Sequence, residues 1–166
     1  MARILCRYKS GCFGCCGTEF QKNKENALIE IRTNTQELKN FDKTRKDLVK
    51  FRGRHGPLFE KNKKPDSMCR NIVKLQDGTY GCCLHPAQNK GDDVRDNYCY
   101  KEYLCPSFKA YMKWDEQKQN DFEKFLDAKD LDVYDYSYGM DSGKLKKEFE
   151  ELHNDKEKIE KFIFKE

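Results

Sequence analysis

The sequence predicts an α+β fold: a small, mostly helical domain with a short β-hairpin and a cysteine-ligated centre joining the N-terminal loop to the hairpin. Three observations predict it. Apolar residues recur at helical spacing in one stretch of the first half and through most of the second. A turn-forming pair, Asp77-Gly78, separates two short runs rich in strand formers. Nine cysteines stand in a chain of 166 residues that is 37% apolar and 37% charged. Apolar content is usually roughly 45–50%, and mean hydropathy here is −1.03. A core that thin needs cross-links of another kind, and the cysteines are the residues able to supply them.

In chain order, "ALIEIR" (27–32) reads as a short strand. "TQELKNFDKTRKDLVKFRGRHGP" (35–57) reads as a helix, with Thr35 as its cap and Leu38, Phe41, Leu48 and Val49 on one face. Gly53, Gly56 and Pro57 end it. "IVKL" and "TYGCC" flank Asp77-Gly78 as a hairpin with a type I′ turn, which places both central residues at positive φ. Pro106 suits a first helical position. Phe108, Tyr111 and Met112 open an apolar face that Phe122, Phe125 and Leu126 continue, in that helix or its successor. "LDVYDYSYGM" (131–140) spaces Tyr134, Tyr136 and Tyr138 at period two, predicting an extended segment whose aromatic face covers the core. From Ser142, the positions Leu145, Phe149, Leu152, Ile159 and Ile163 trace an amphipathic helix. The expected organisation is a cysteine-rich metal-binding domain over residues 1–112, with residues 113–166 as a helical extension packed on it.

Compartment decides what the thiols do. The first residues carry only Ile4 and Leu5 before charge resumes, which is no signal peptide, and no run approaches the roughly 18 apolar residues of a membrane span. A cytoplasmic protein with reduced thiols is expected. An odd number of cysteines also argues against a closed disulfide framework.

The net charge of +4 is unevenly spread. Residues 43–64 hold nine Lys/Arg against two Asp/Glu, and residues 113–166 hold eleven Lys against sixteen Asp/Glu. A solvated surface accounts for this; a nucleic-acid face over 43–64 is the alternative.

In "GCFGCCG" (11–17), Cys12 and Cys15 form a Cys-x-x-Cys turn, with glycines to relieve crowding. Such a turn brings two sulfurs to chelating distance. Zinc in a structural site takes four Cys or His ligands, and iron–sulfur clusters commonly take four cysteines. The adjacent pairs Cys15-Cys16 and Cys82-Cys83 place neighbouring thiols on opposite sides of the chain. One of each pair then serves a second centre or packs in the core. The expected ligands are Cys12, Cys15, Cys82 and Cys105, followed by Cys16, Cys69 and Cys99. Cys83 and His85 are candidates for ligand or outer-shell partner. Asp93 and Arg95, in "GDDVRD", could join a metal site, and a structural ion-pair network is the favoured reading of that loop. Cys6, beside Ile4 and Leu5, reads as packing, and His55 and His153 as solvated.

These residues resemble a cysteine-rich family of zinc- or iron-chelating proteins, the CxxCxxCC type. Cys12, Cys15 and Cys16 match the end of its first element. Cys69, "GCCLHP" with Cys82, Arg95, Cys99 and "CPSF" with Cys105 are similar to its second. The resemblance covers residues 6–112. Cys6 stands six positions before Cys12 where the family has three. The resemblance implies metal binding by the cysteine set.

The expectation is therefore a metal-binding protein, with zinc or iron as cofactor, rather than an enzyme. An iron–sulfur or non-haem iron redox protein is one alternative; a zinc-stabilised module binding nucleic acid or protein is the other. No phosphate loop, nucleophile elbow or Ser/His/Asp constellation is present in the sequence.

Overall fold

A computed structural model of the chain describes residues 4–14, 22–53, 68–95 and 101–164. The chain divides into two compact units, Met1–Tyr103 and Leu104–Glu166. The division falls earlier than the sequence boundary at 112–113, because the helix beginning at Pro106 packs with the helices that follow it. Among the described residues are seven α-helices and one two-stranded antiparallel sheet. None of these helices is long and apolar enough to cross a membrane.

In the first unit, helix α1 (Lys24–Leu38) starts where the Asn23 side chain accepts the Asn26 N–H at 2.9 Å. It buries Ala27, Ile31, Asn34 and Leu38, a spacing of four, three and four residues. "ALIEIR" is thus helical, not a strand: six residues of mixed pattern are ambiguous alone, and the cap upstream decides them. The helix expected from Thr35 onward is two pieces. The chain leaves α1 after Leu38, and Thr44 starts α2 (Arg45–Gly53) by accepting the Asp47 N–H and donating its hydroxyl to the Asp47 carboxylate. Thr35 lies inside α1. Its hydroxyl donates to Ile31 O at 2.7 Å and accepts the Lys74 N–H at 2.8 Å, tying α1 to the sheet.

Strands β1 (Ile72–Lys74) and β2 (Tyr80–Cys82) pair as Ile72 with Cys82, Val73 with Gly81 and Lys74 with Tyr80. The hairpin lies at Asp77-Gly78 as expected, but its turn is not type I′. Gly78 has φ +84° while Asp77 keeps negative φ. Gly78 N–H donates to Leu75 O and Leu75 N–H donates to Thr79 O, making a three-residue loop that ends in a left-handed glycine. The Asp77 carboxylate accepts both the hydroxyl and the N–H of Thr79, which holds its pKa below the usual value. A second-residue Asp that bonds forward in this way has no need of positive φ. The core beneath is Leu38, Leu48, Phe51, Val73, Cys83, Leu84 and Val94, with Phe41, Leu75 and Cys82 at its margin.

The second unit is all helix: α3 (Pro106–Tyr111), α4 (Glu116–Lys129), α5 (Val133–Asp141), α6 (Lys144–His153) and α7 (Lys156–Phe164). Its centre is aromatic. The rings of Trp114, Phe122, Phe125 and Phe149 meet at centroid distances of 5.0–5.9 Å, and Phe162 lies 5.4 Å from Phe125. Met112, expected on the apolar face, is 59% exposed.

The tyrosine segment is α5, not an extended strand. The Asp132 carboxylate accepts the N–H groups of Tyr134 and Asp135, and this cap sets the helix. Tyr134 and Tyr138, one turn apart, stack at 6.2 Å, so a spacing that suits a strand is met here by a helix. Tyr134 and Tyr136 are buried, as a core-covering role requires, and Tyr138 is exposed. The C-terminal amphipathic run breaks at Asn154–Asp155, where the Asp155 carboxylate caps α7 through the Lys158 N–H.

Candidate metal centre

Three cysteine-bearing segments of the first unit are joined by backbone bonds. The N-terminal loop runs beside β2: Tyr80 N–H donates to Ser10 O at 2.7 Å, and Gly11 forms a parallel bridge with Tyr80. Gly11 has φ +88°, and a Cβ there would stand 2.2 Å from Tyr80 O, so a side chain would block the approach. Leu5 and the fully buried Phe13 anchor the loop on either side of the bridge. Cys12 sits between Gly11 and Phe13, half-buried, and its Sγ accepts the Gly14 N–H at 3.4 Å. A backbone donor aimed at sulfur stabilises the thiolate that binds metal.

Cys69 opens a turn in which Ile72 N–H donates to Cys69 O at 3.0 Å. Asn34, buried on α1, clamps that turn by donating Nδ2 to Cys69 O and Ile72 O, at 3.3 and 3.2 Å. Ile72 pairs with Cys82, half-buried on β2, and Cys83 N–H donates to Asn71 O at 3.0 Å. Cys83 itself is 5% exposed and packs in the core cluster. The Cys82-Cys83 pair therefore separates a marginal thiol from a packed one.

The remaining candidates divide. His85 starts a short 3₁₀ turn by accepting the Ala87 N–H on Nδ1 at 3.1 Å. A neutral ring used so carries its proton on Nε2 and acts as a donor, which suits an outer-shell role better than ligation. Asp93 accepts Arg95 Nε, Nη2 and N–H at 2.8–3.0 Å, so both its oxygens are engaged. The Arg95 fork holds the Asp93 carboxyl at about 2. Val94, buried between them, accepts Arg52 Nη1 at 2.5 Å, which fastens this loop to α2. Cys105 belongs to the second unit, where its Sγ accepts the Phe108 N–H at 3.4 Å and caps α3. Cys15, Cys16 and Cys99 lie outside the described residues.

Among the described residues, no three Cys, His, Asp or Glu side chains gather so as to hold a metal ion. What is gathered is backbone: the Cys12 loop beside β2, and the Cys69 turn beside the end of β2. One residue the sequence reading missed also lies here. Asn71 is 1% exposed, and neither its Nδ2 nor its Oδ1 has a hydrogen-bond partner. Its signal was available: a polar side chain two residues after Cys69 and directly before "IVKL".

The basic segment is described over residues 43–53. Of its five cations, Arg45 pairs with Asp92, Lys50 with Asp47 at 3.4 Å, and Arg52 is buried against Val94 O. No protein-family model, curated protein or solved structure matches this chain.

Proposed function

We propose that this is a cytoplasmic metal-binding protein that holds zinc or iron through cysteines of the N-terminal loop and the hairpin. The observation that carries the proposal is the Gly11–Tyr80 bridge, which brings the Cys12 segment alongside the strand bearing Cys82. Cys12, Cys69 and Cys82 are the described candidate ligands of the first unit, and Cys15, Cys16 and Cys99 are its candidates outside the described residues. The Gly14 N–H at Cys12 Sγ fits a thiolate at that position. A bound metal would add a cross-link to segments already joined by backbone bonds and a few buried side chains, adding directly to folding free energy. The thiols must lose protons to bind, so uptake weakens as pH falls. Iron with inorganic sulfide at the same cysteines would add redox activity to this role.

The test is metal analysis and an absorption spectrum on chain purified without oxygen, alongside a Cys12→Ser/Cys15→Ser double variant. Wild-type chain carrying zinc, or iron with acid-labile sulfide, and a double variant that loses it support the proposal. Metal-free, folded wild type would sink it. Full metal content in the double variant would remove the N-terminal loop from the centre.

A further inference from the structure

The lysines of the second unit divide into two sets. Seven of them, between Lys124 and Lys161, stand 2.5–3.9 Å from a carboxylate. Lys118 lies over the Trp114 ring, 5.1 Å from its centre. Among the described side chains of the unit, only Lys109 and Lys113 have neither an ion pair nor a ring. Both are exposed, and with Met112 they occupy positions i, i+3 and i+4 at the end of α3. Met112 keeps helical φ and ψ as the C-cap, so the three share one face. Met112 and Tyr138 are the large apolar side chains of this unit that stand exposed among the described residues, at 59% and 42%. Tyr138 lies on α5, one turn after the exposed Asp135. Helix α3 packs on α5, and Pro106 at its start faces Gly143, just past the end of α5. Met112 is six residues from Pro106 and Tyr138 five from Gly143. At about 1.5 Å of rise per residue, the two exposed side chains belong to residues within about 20 Å of each other.

We propose that this surface is a self-association site, in which Lys109, Met112 and Lys113 of one copy dock on Asp135 and Tyr138 of a second copy. Charge complementarity carries the proposal. Two uncompensated lysines flank a thioether on α3, and a carboxylate precedes an aromatic ring by one turn on the helix packed beside it. Lysine meets carboxylate, and sulfur against a ring edge is a favourable contact. Because one unit holds both halves, a two-fold axis forms each contact twice. Five side chains from each copy are a fraction of the roughly 20–30 residues a side of a standard interface. The dimer is therefore weak, and it loosens further as salt screens the lysines.

The experiment is sedimentation of the full chain over a concentration series, with a charge swap. Wild type is expected to show a monomer–dimer equilibrium. Lys109→Glu/Lys113→Glu and Asp135→Lys are each expected to weaken it about 10-fold or more, since each sets like charges against one another. Mixed one to one, the two variants are expected to pair at near wild-type strength, because every α3 then faces the opposite charge. Misfolded chains do not regain pairing on mixing, and Trp114 fluorescence checks that each variant is folded. Wild type that stays monomeric to about 1 mM overturns the proposal and leaves the α3 ridge to an acidic segment of another protein. A wild-type dimer indifferent to both variants overturns it by placing the contact on another face. Weakened variants that do not recover on mixing overturn the pairing of α3 with α5. Should Asp135→Lys fail to fold, Tyr138→Lys carries the same mixing test with the same readings.

Discussion

The two units are stabilised in different ways. Leu104–Glu166 buries a cluster of aromatic rings among five short helices, most of them started by a side-chain cap. Met1–Tyr103, among its described residues, has a mixed core cluster around Phe51, a three-residue-per-strand hairpin, and a loop docked by backbone bonds, Gly11 and the buried Leu5 and Phe13. The difference teaches where a cross-link matters. In the second unit, ring packing sums over many contacts among Trp114, Phe122, Phe125 and Phe149. The first adds to its core cluster a few directional bonds that dock the N-terminal loop and the Cys69 turn.

The largest expected effect is in the aromatic unit. Phe149 is fully buried and touches Trp114, Phe122, Phe125 and His153. Phe149→Ala is expected to destabilise that unit by about 3–5 kcal/mol. Trp114 is the chain's single tryptophan, so its fluorescence reads the unit's unfolding directly. A loss under about 1 kcal/mol would break the contrast, by showing that the ring cluster is not what holds the helices.

Next comes the glycine of the docked loop. Gly11→Ala puts a methyl against Tyr80 O at positive φ and is expected to cost about 2–4 kcal/mol through strain or detachment. Faster thiol-reagent labelling of Cys12 and weaker zinc uptake are the readouts. Unchanged labelling would show that the loop is held by Leu5 and Phe13 alone. Smaller still, Asp132→Ala removes the cap of α5 and is expected to cost about 1 kcal/mol, measured by urea unfolding.

The smallest effect is acidic. Arg95 holds Asp93 at about 2, below the ordinary carboxyl value of 3.8. A depressed carboxyl contributes stability that is complete above the unfolded value and fades as pH falls from about 4 toward 2. The pair is partly exposed, so the contribution is expected to stay below about 1 kcal/mol. Wild type and Asp93→Asn, compared by urea unfolding at pH 7 and pH 3, should differ more at pH 7.

The helix at Pro106 and the apolar face continued by Phe122, Phe125 and Leu126 were legible because their signals are local: Pro106 at a first position and apolar residues one turn apart. The hairpin was legible for the same reason, from Asp77-Gly78. The errors fell where two periods fit the same letters. "ALIEIR" and "LDVYDYSYGM" both suit a strand, and the caps at Asn23, upstream of the first, and Asp132, inside the second, settled them as helix. At the candidate site, clustering of thiols is written in the sequence. The burial of Cys83, the commitment of His85 Nδ1 and the orphaned amide of Asn71 are not, because each depends on which segment lies alongside.

The Gly11–Tyr80 bridge has a kinetic corollary. It joins positions far apart in the chain, whereas the hairpin closes within a few residues. Loop-closure entropy makes the distant pairing the slower one, and it cannot form before β2 presents its edge. Folding of this unit should thus end with the docking of the N-terminal loop. Until then Cys12 is open to water, oxidants and competing ions, and the order of assembly decides which of them reaches the sulfur first.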